Sequence, residues 1–386
     1  VLWTPELSDI ETPAVVVHEA RLKENIRAMQ ATARLHGLAL RPHVKTHKCL
    51  KIACMQLAGG AVGLTASKVD EALVFLDAGC HDVTVAYPVL DPAKLDRLLA
   101  AARRQGATLC CIADSFEACE ALDAAARRNT ARLGVFLKID VGLHRCGMDE
   151  NDARLLPLAR RIAEGEGTRL AGLLSHAGQA YGAPDAAAVR DIARQEAAIL
   201  CRVRAKLETA GLAVPTVSVG ATPTALAVEA PGAYRGIDEL RPGNYVFLDR
   251  TALRLGLAGP QRVALHVLAT VVSTNERYAI IDAGAKTLGL DLGAHGFGAA
   301  DYGYGLAFLP VNGQEDPTAA EALRVVRLSE EHGFLDRTGR DIRIGTRVLI
   351  LPNHSCVVAN LAERLVVVKE QGALTTWEVA ARAKVR

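Results

Sequence analysis

Two short stretches of this chain concentrate groups capable of covalent and metal chemistry. The first is the octapeptide Arg41, Pro42, His43, Val44, Lys45, Thr46, His47, Lys48. A lysine at the end of a buried strand, ringed by cations, loses part of its affinity for a proton, and the neutral amine can form a Schiff base with a carbonyl. The same run of Arg, Lys and His also reads as a solvated basic loop, and spacing leaves both readings open. The second stretch is Pro352, Asn353, His354, Ser355, Cys356, directly after the strand-like run Arg347 to Leu351. Residues i and i+2 of an extended segment share a side, so the His354 imidazole and Cys356 thiolate converge. Both suit zinc or another borderline divalent metal, and an open coordination shell leaves room for water and a substrate hydroxyl. A core histidine beside a buried cysteine is the competing reading of so short a pair.

Further signals are weaker. In the run Ser218 to Thr224 (SVGATPT) a strand ends in Gly220, Ala221 and Thr222 before a helix, which offers backbone N–H groups and a hydroxyl to a phosphate. Tyr245 ends another strand beside this cup, either as a phenol contact to the phosphate or as a core residue. His176 and His332 are acid/base candidates; His176 is preferred because its motif runs on through Gly178 to Tyr181 in a strand-end loop.

The elements that must carry these groups are legible from patterning. Residues 12–251 alternate short β-branched runs with helical ones, which predicts parallel strands joined by crossover helices. Ser67 with Asp70 reads as a capping box opening a helix that Gly79 ends; Asp91 and Pro92 open the next, which stops at Gly106; Ser115 opens a third. Strands are predicted at Leu40 to Lys45, Gly63 to Ala66, Asp82 to Tyr87, Thr108 to Asp114, Val135 to Val141, Leu170 to His176, Thr216 to Ala221 and Glu239 to Phe247. Eight such units make an α/β fold of the (β/α)8 TIM-barrel type, with an open doubly wound sheet as the alternative. Barrel chemistry belongs at the C-terminal strand ends, where Lys45, Thr65, Tyr87, Asp114, Arg145, His176, Thr222 and Tyr245 fall. After Arg254 strand-like runs take over, ending in a hairpin from Leu365 to Val379 that turns near Gly372. The expected division is a barrel over 12–251 and a mostly β domain of 252–386 with 1–11. Between its strands the segment Gly284 to Gly313 is Gly-rich, and its Asp301 to Gly305 (DYGYG) portion is expected to shape the substrate entrance.

Composition excludes several partners. The 45 basic and 43 acidic residues leave a net charge of +2, with no basic block, so there is no electrostatic basis for binding nucleic acid. The longest uncharged stretch, Thr209 to Val228, holds Gly211, Pro215, Gly220 and Pro223 and reads as strand and loops, not as a membrane span. The first residues lack the pattern of a signal peptide, and nine cysteines without a CxxC pair read as reduced thiols of a cytoplasmic protein. A small-molecule partner is expected.

RPHVKTHK, preceded by TPAVVV and the Leu22, Asn25, Ile26 helix, resembles the lysine region of the D-threonine aldolase and D-serine dehydratase family, fold-type III enzymes related to alanine racemase. The resemblance continues in order through AYP (Ala86 to Pro88), HRCG (His144 to Gly147), SHAGQAY (Ser175 to Tyr181), SVGATPT, ELRPGNYVFLD (Glu239 to Asp249), EEHG (Glu330 to Gly333) and PNHSC. It implies pyridoxal 5'-phosphate (PLP) on Lys45, with Arg145 near the ring's phenolic oxygen, Tyr181, Gly220, Ala221, Thr222 and Tyr245 as further cofactor contacts, and His176 as a catalytic group facing the cofactor. It also implies a divalent metal (Zn, Mn or Mg) on His354 and Cys356, and a homodimer. The activity implied first is retro-aldol cleavage of a D-configured β-hydroxy-α-amino acid to glycine and an aldehyde. The alternative is dehydration of D-serine or D-threo-3-hydroxyaspartate to a keto acid and ammonia. The aldolases of the family often carry aspartate where this chain has Cys356, whereas the dehydratases tend to carry cysteine. An amino-acid racemase and a non-catalytic PLP carrier are the remoter readings; the C-terminal β domain with its His354 and Cys356 pair counts against the carrier.

Overall fold

The computed structural model describes residues 3, 5–228, 234–293, 302–310, 322–337 and 339–386. Its first strand, β1 (Ala14–His18), is followed by a helix over Glu19–Leu35 and then by eight parallel strands. These are β2 (Ala39–Leu40), β3 (Leu64–Ala66), β4 (Asp82–Val85), β5 (Thr108–Ala113), β6 (Leu133–Lys138), β7 (Thr168–Leu174), β8 (Thr216–Val219) and β9 (Glu239–Leu240). They hydrogen-bond in the order β2-β9-β8-β7-β6-β5-β4-β3. Closure comes from the extension of β2: Val62 N–H donates to Leu40 O at 2.9 Å, Thr65 N–H to Pro42 O at 2.8 Å, and His43 bridges to Thr65. The sheet is therefore a barrel, and the open doubly wound alternative falls away.

The strands are buried on both faces, as a parallel sheet coated by helices requires. Cys110, Ile112, Phe136, Ala171 and Leu174 form a small apolar cluster of their own, while the opposite faces join the helices in the main core. Gly172, at φ +140°, lets β7 approach β8 so closely that a Cβ there would collide with Thr216 O. Two helix caps form as read: Asp91 accepts from the Ala93 and Lys94 N–H groups, and Ser115 from that of Ala118. The third differs. The helix begins at Val69, and both the N–H and hydroxyl of Ser67 donate to Glu71, whose carboxylate is buried against Lys48 at 3.2 Å.

The rest of the chain forms antiparallel strands β10 (Leu265–Thr274), β11 (Tyr278–Ile281), β12 (Gly305–Phe308), β13 (Leu323–Leu328), β14 (Gly333–Asp336), β15 (Arg347–Pro352), β16 (Arg364–Val368) and β17 (Leu374–Glu378). Their order is β11-β14-β13-β12-β15-β10-β1-β16-β17, and β10 also pairs with β11 past a bulge between Val271 and Ser273, so six strands close a ring. β1 lies in this sheet, antiparallel to β10 and parallel to β16, although it falls within the stretch expected to be barrel. Its run Ala14 to Val17 is continuously apolar and fits either sheet, so periodicity had no means of assigning it. Two predicted barrel strands also shorten. β2 stops at Leu40 and β9 at Leu240, each followed by a 3-10 turn, Val44–Thr46 and Asn244–Val246. Pro42 and Pro242, which lack an N–H, stand at these breaks. Asp301 of the DYGYG segment lies outside the described residues, as does much of Gly284 to Gly313. No helix among the described residues is long and apolar enough to cross a membrane.

Candidate active site

Lys45 sits not at a strand end but in the turn Val44–Thr46, where the His43 side chain accepts a hydrogen bond from its N–H at 3.4 Å. Burial lowers the proton affinity of Lys45, Arg145 and Arg241 lower it further, and Cys356 and Glu71 act against them. His43 is held well below its usual range, first by burial and then by the charges of Lys45, Arg241 and Arg145. It is therefore a neutral imidazole, consistent with its accepting role. Lys48, the other lysine of the octapeptide, is spent elsewhere: it is 5 % exposed, pairs with Glu71 and donates to Ala381 O and Lys384 O.

Beside this turn stands Arg241, buried and not singled out from sequence. Its Nε donates to Ser218 Oγ at 2.7 Å, and one terminal nitrogen donates to Ser175 O. Ser218 in turn donates to Glu239 at 2.6 Å, Glu239 accepts from Arg41, and Arg41 forks onto Asp82 at 2.6 and 3.2 Å. Burial pulls Arg241 down to about 10, against the support of Glu239 and Glu196, so it remains a cation at neutral pH. A second buried cation, Lys138 at the end of β6, is pulled down by burial to about 8, with Arg241 adding to the effect. The signal for Arg241 was present in the sequence as an arginine inside a strand candidate, ELRPGNYVF.

After β8 the chain turns directly into a short helix. Thr222 opens the helix Thr222–Ala227, whose first N–H groups have no partner within the helix. A narrow crevice runs past Tyr181, Thr222 and Asn244. The Tyr181 hydroxyl engages Thr222, and burial, with Cys356 and Asp249, raises its pKa. His176, after β7, is fixed by a short contact of its Nδ1 to Gly220 O. Tyr245 is a correction. Its N–H donates to Thr222 Oγ1 at 3.2 Å, but its hydroxyl turns away and accepts from Gln56 Nε2 at 3.0 Å inside the core. The backbone twist of the turn, absent from a straight strand, aims the ring inward. Arg145 is exposed at the rim, and its charge is felt by Lys45 and His43. His332 stands exposed on the turn between β13 and β14, in the other sheet.

The His354 and Cys356 pair comes from the C-terminal sheet and lands on the barrel turn. The helix Ser355–Leu361 begins between them, and the Thr46 hydroxyl lies 3.3 Å from the Cys356 sulfur. Asn244 donates to Asp249, to Ser355 and, at 3.7 Å, to Cys356; Asp249 also accepts from the Ser355 N–H at 3.1 Å. These buried links tie the last barrel motif to PNHSC. Burial opposes charge on both site groups, but each supports the other: His354 is raised by Cys356 and Asp291, and Cys356 is lowered by His354, Thr46 and Lys45. A histidine and thiolate in contact are a donor set that suits a borderline divalent metal. Among the described residues no cluster of three or more His, Cys, Asp or Glu groups could hold a metal.

Comparison with known proteins gives this geometry its context. Residues 17–251 match the family described as "Alanine racemase, N-terminal domain", and residues 264–368 match the model of a serine dehydratase domain. The chain is 36% identical to D-threo-3-hydroxyaspartate dehydratase of Delftia sp. (strain HT23), over 96% of this chain and 98% of that protein. It is 33% identical to D-threonine aldolase of an Arthrobacter species, over 97% and 94%. The solved Delftia dehydratase superposes with a TM-score of 0.87 over 96% and 98% of the two chains, and a cysteine variant of it is described as metal-free. D-threonine aldolase from Filomicrobium marinum, 30% identical, gives a TM-score of 0.85 over 98% of both chains. With a half-buried lysine at the barrel mouth and a His–Cys pair beside it, the chain belongs to the D-threonine aldolase and D-serine dehydratase family of PLP-dependent lyases, built on the alanine racemase fold.

Proposed function

We propose that this chain is a metal-assisted dehydratase of a D-configured β-hydroxy-α-amino acid, releasing a keto acid and ammonia. The observation that carries this reading is the contact between the Cys356 sulfur and Thr46, the neighbour of Lys45. It supports a reading in which a metal held by His354 and Cys356 would act at the β-hydroxyl while the Lys45 amine acts at the adjacent α-carbon. Likeness to the Delftia dehydratase supports it, and so does cysteine rather than aspartate at position 356.

Lys45, Arg145, Tyr181 and the Gly220, Ala221, Thr222 cup would hold PLP, and His354 and Cys356 would hold the divalent metal. When bound, PLP supplies an electron sink for bonds broken at the α-carbon and the metal a Lewis acid for the β-oxygen. The protein's own groups then divide the work. Lys45 takes the α-proton, because burial and the nearby guanidinium groups of Arg145 and Arg241 raise the fraction of neutral amine. Arg241 holds a fixed positive charge near Lys45. His176, held through Nδ1 by Gly220 O, is placed as the group that exchanges a proton with the leaving hydroxyl. Asn244 and Thr46 fix the sulfur, so the hydroxyl is presented from one direction only, which selects one configuration at the β-carbon.

Retro-aldol cleavage is the second reading, favoured by the aldolase relatives at 33% identity and, for the solved one, a TM-score of 0.85. It needs the same ligands but no α-proton transfer to Lys45. Product analysis separates the two. Incubation with D-threonine, D-serine and D-threo-3-hydroxyaspartate should give keto acid and ammonia in equal amounts, and chelator should stop the reaction while the bound cofactor keeps its visible band. Glycine and an aldehyde as sole products would replace this reading with the aldol one, and full turnover in metal-free protein would reject both.

A further inference from the structure

The Gly-rich segment after Gly284 contributes one described side chain to the site, and the reading above assigns it no role. Asp291 Oδ2 lies 2.7 Å from Nδ1 of His354. Its backbone is held by the same short stretch: Asn353 Nδ2 donates to Asp291 O at 3.2 Å and to Gly303 O at 2.7 Å. Asn353 is itself 2 % exposed and accepts from Arg250 at 3.3 Å, while Thr251 donates to the Asn353 carbonyl, also at 3.3 Å. Main chain and side chain of Asp291 are thus both docked on the residues that begin PNHSC. This is a directed contact rather than a chance approach of two surface groups.

A neutral imidazole carries one N–H, and the nitrogen bearing it cannot bind a metal. A carboxylate at Nδ1 holds the proton there, which leaves Nε2 as the ligating atom on the side of Cys356. It also restricts rotation of the ring and raises the basicity of Nε2. We infer that Asp291 is a positioning residue for the metal ligand His354, fixing its tautomer and ring orientation so that Nε2 and the Cys356 sulfur face one ion. The inference rests on the metal reading of His354 and Cys356. It assigns the head of the Gly-rich segment to the metal centre; the expectation for its DYGYG portion was the substrate entrance.

The test is cobalt(II) binding to the PLP-loaded enzyme, read by the thiolate-to-cobalt absorption band and by competition with a chelator of known affinity. Asp291→Ala should weaken cobalt binding about 10- to 100-fold, the usual effect of losing such a partner. Asp291→Asn has the same shape and keeps an acceptor oxygen but no charge, so it should fall between Asp291→Ala and wild type. Both variants should retain the cofactor's visible band, because Asp291 does not touch the Lys45 turn. Wild-type affinity in Asp291→Ala would overturn the inference alone, as would loss of cofactor together with cobalt, which marks a residue needed for the fold. A loss in Asp291→Asn as large as in Asp291→Ala would also overturn it, since an acceptor oxygen at Nδ1 would then not hold the ring. Absence of the thiolate band in the wild-type protein would instead overturn the metal reading on which the inference rests.

Discussion

Lys45 and Lys48 are three residues apart in one basic run, yet their surroundings give them opposite chemistry. Lys48 is paired with Glu71 and held by two carbonyls of the C-terminal segment, whereas Lys45 stands among Arg145, Arg241 and Cys356. Borohydride reduction of the holoenzyme should therefore fix the cofactor's mass on the peptide containing Lys45, and Lys45→Ala should lower turnover by about 10²- to 10⁴-fold or more, the range for loss of a proton-transfer group. An adduct on Lys48 by mass spectrometry would contradict the assignment. The two tyrosines of the cup separate in the same manner. Tyr245→Phe removes only the bond from Gln56; it should cost about 1 kcal/mol of stability and leave cofactor affinity unchanged. Tyr181→Phe, at the crevice beside Thr222, should weaken cofactor binding. Equal effects of the two substitutions on the cofactor dissociation constant would refute this division.

Among the elements, the turns after β2 and β9 do what longer strands would have prevented. A regular strand to Lys45 would point His43 and Lys45 the same way and Val44 to the other face; the 3-10 turn instead buries Val44 and lets His43 accept from the Lys45 N–H. Gly243 permits the second turn to lie against the first, since a Cβ there would stand 2.8 Å from Thr46 Oγ1 and 2.9 Å from His43 O. The C-terminal segment secures the pair from outside: Ala381 N–H donates to Lys48 O, and Trp377, Val379 and Ala381 are buried. Replacing Lys48 by Met strands the Glu71 carboxylate in the core. Breaking a buried pair in this way costs about 3–5 kcal/mol, so thermal unfolding should shift down by several degrees. A variant that also replaces Glu71 with Leu should recover part of the loss. No recovery would mean that Lys48 acts through its carbonyl contacts rather than through charge.

The whole molecule buries several histidines as neutral rings, which makes its stability depend on pH. His266, packed edge-on against His18, and His43 are held well below the usual histidine value, and burial lowers His47 to about 4 despite its bonds to Gln56 and Cys49. In the unfolded chain each takes up a proton near pH 6.5. The unfolded state therefore binds more protons below that pH, and folding stability is complete above it and declines as pH falls through 6.5 toward 4. Each such histidine contributes a slope of up to about 1.4 kcal/mol per pH unit. Denaturant unfolding between pH 8 and 5 should show the decline, and His266→Leu should reduce the slope by about one proton's worth. A profile that is flat over that range would contradict the buried, neutral state of these rings.

The order of elements, the barrel and the β character of the C-terminal third were legible in the sequence, because each depends on periodicity and caps that act within a few residues. Lys45, His354 and Cys356 stood out for the same local reason: their residue types suit Schiff-base and metal chemistry. Other features belong to the tertiary structure alone. Ala14–His18 joins the second sheet, between β10 and β16, and its apolar run alone would have fitted either sheet. Arg241 enters the mouth, and Tyr245 leaves it, through the twist of a turn that a strand pattern conceals. The meeting of Thr46 with Cys356 spans 310 residues and that of Asp291 with His354 spans 63. Contacts at such separation are set by how the two sheets pack, and no local pattern in a single sequence records which distant residues that packing brings within hydrogen-bond reach.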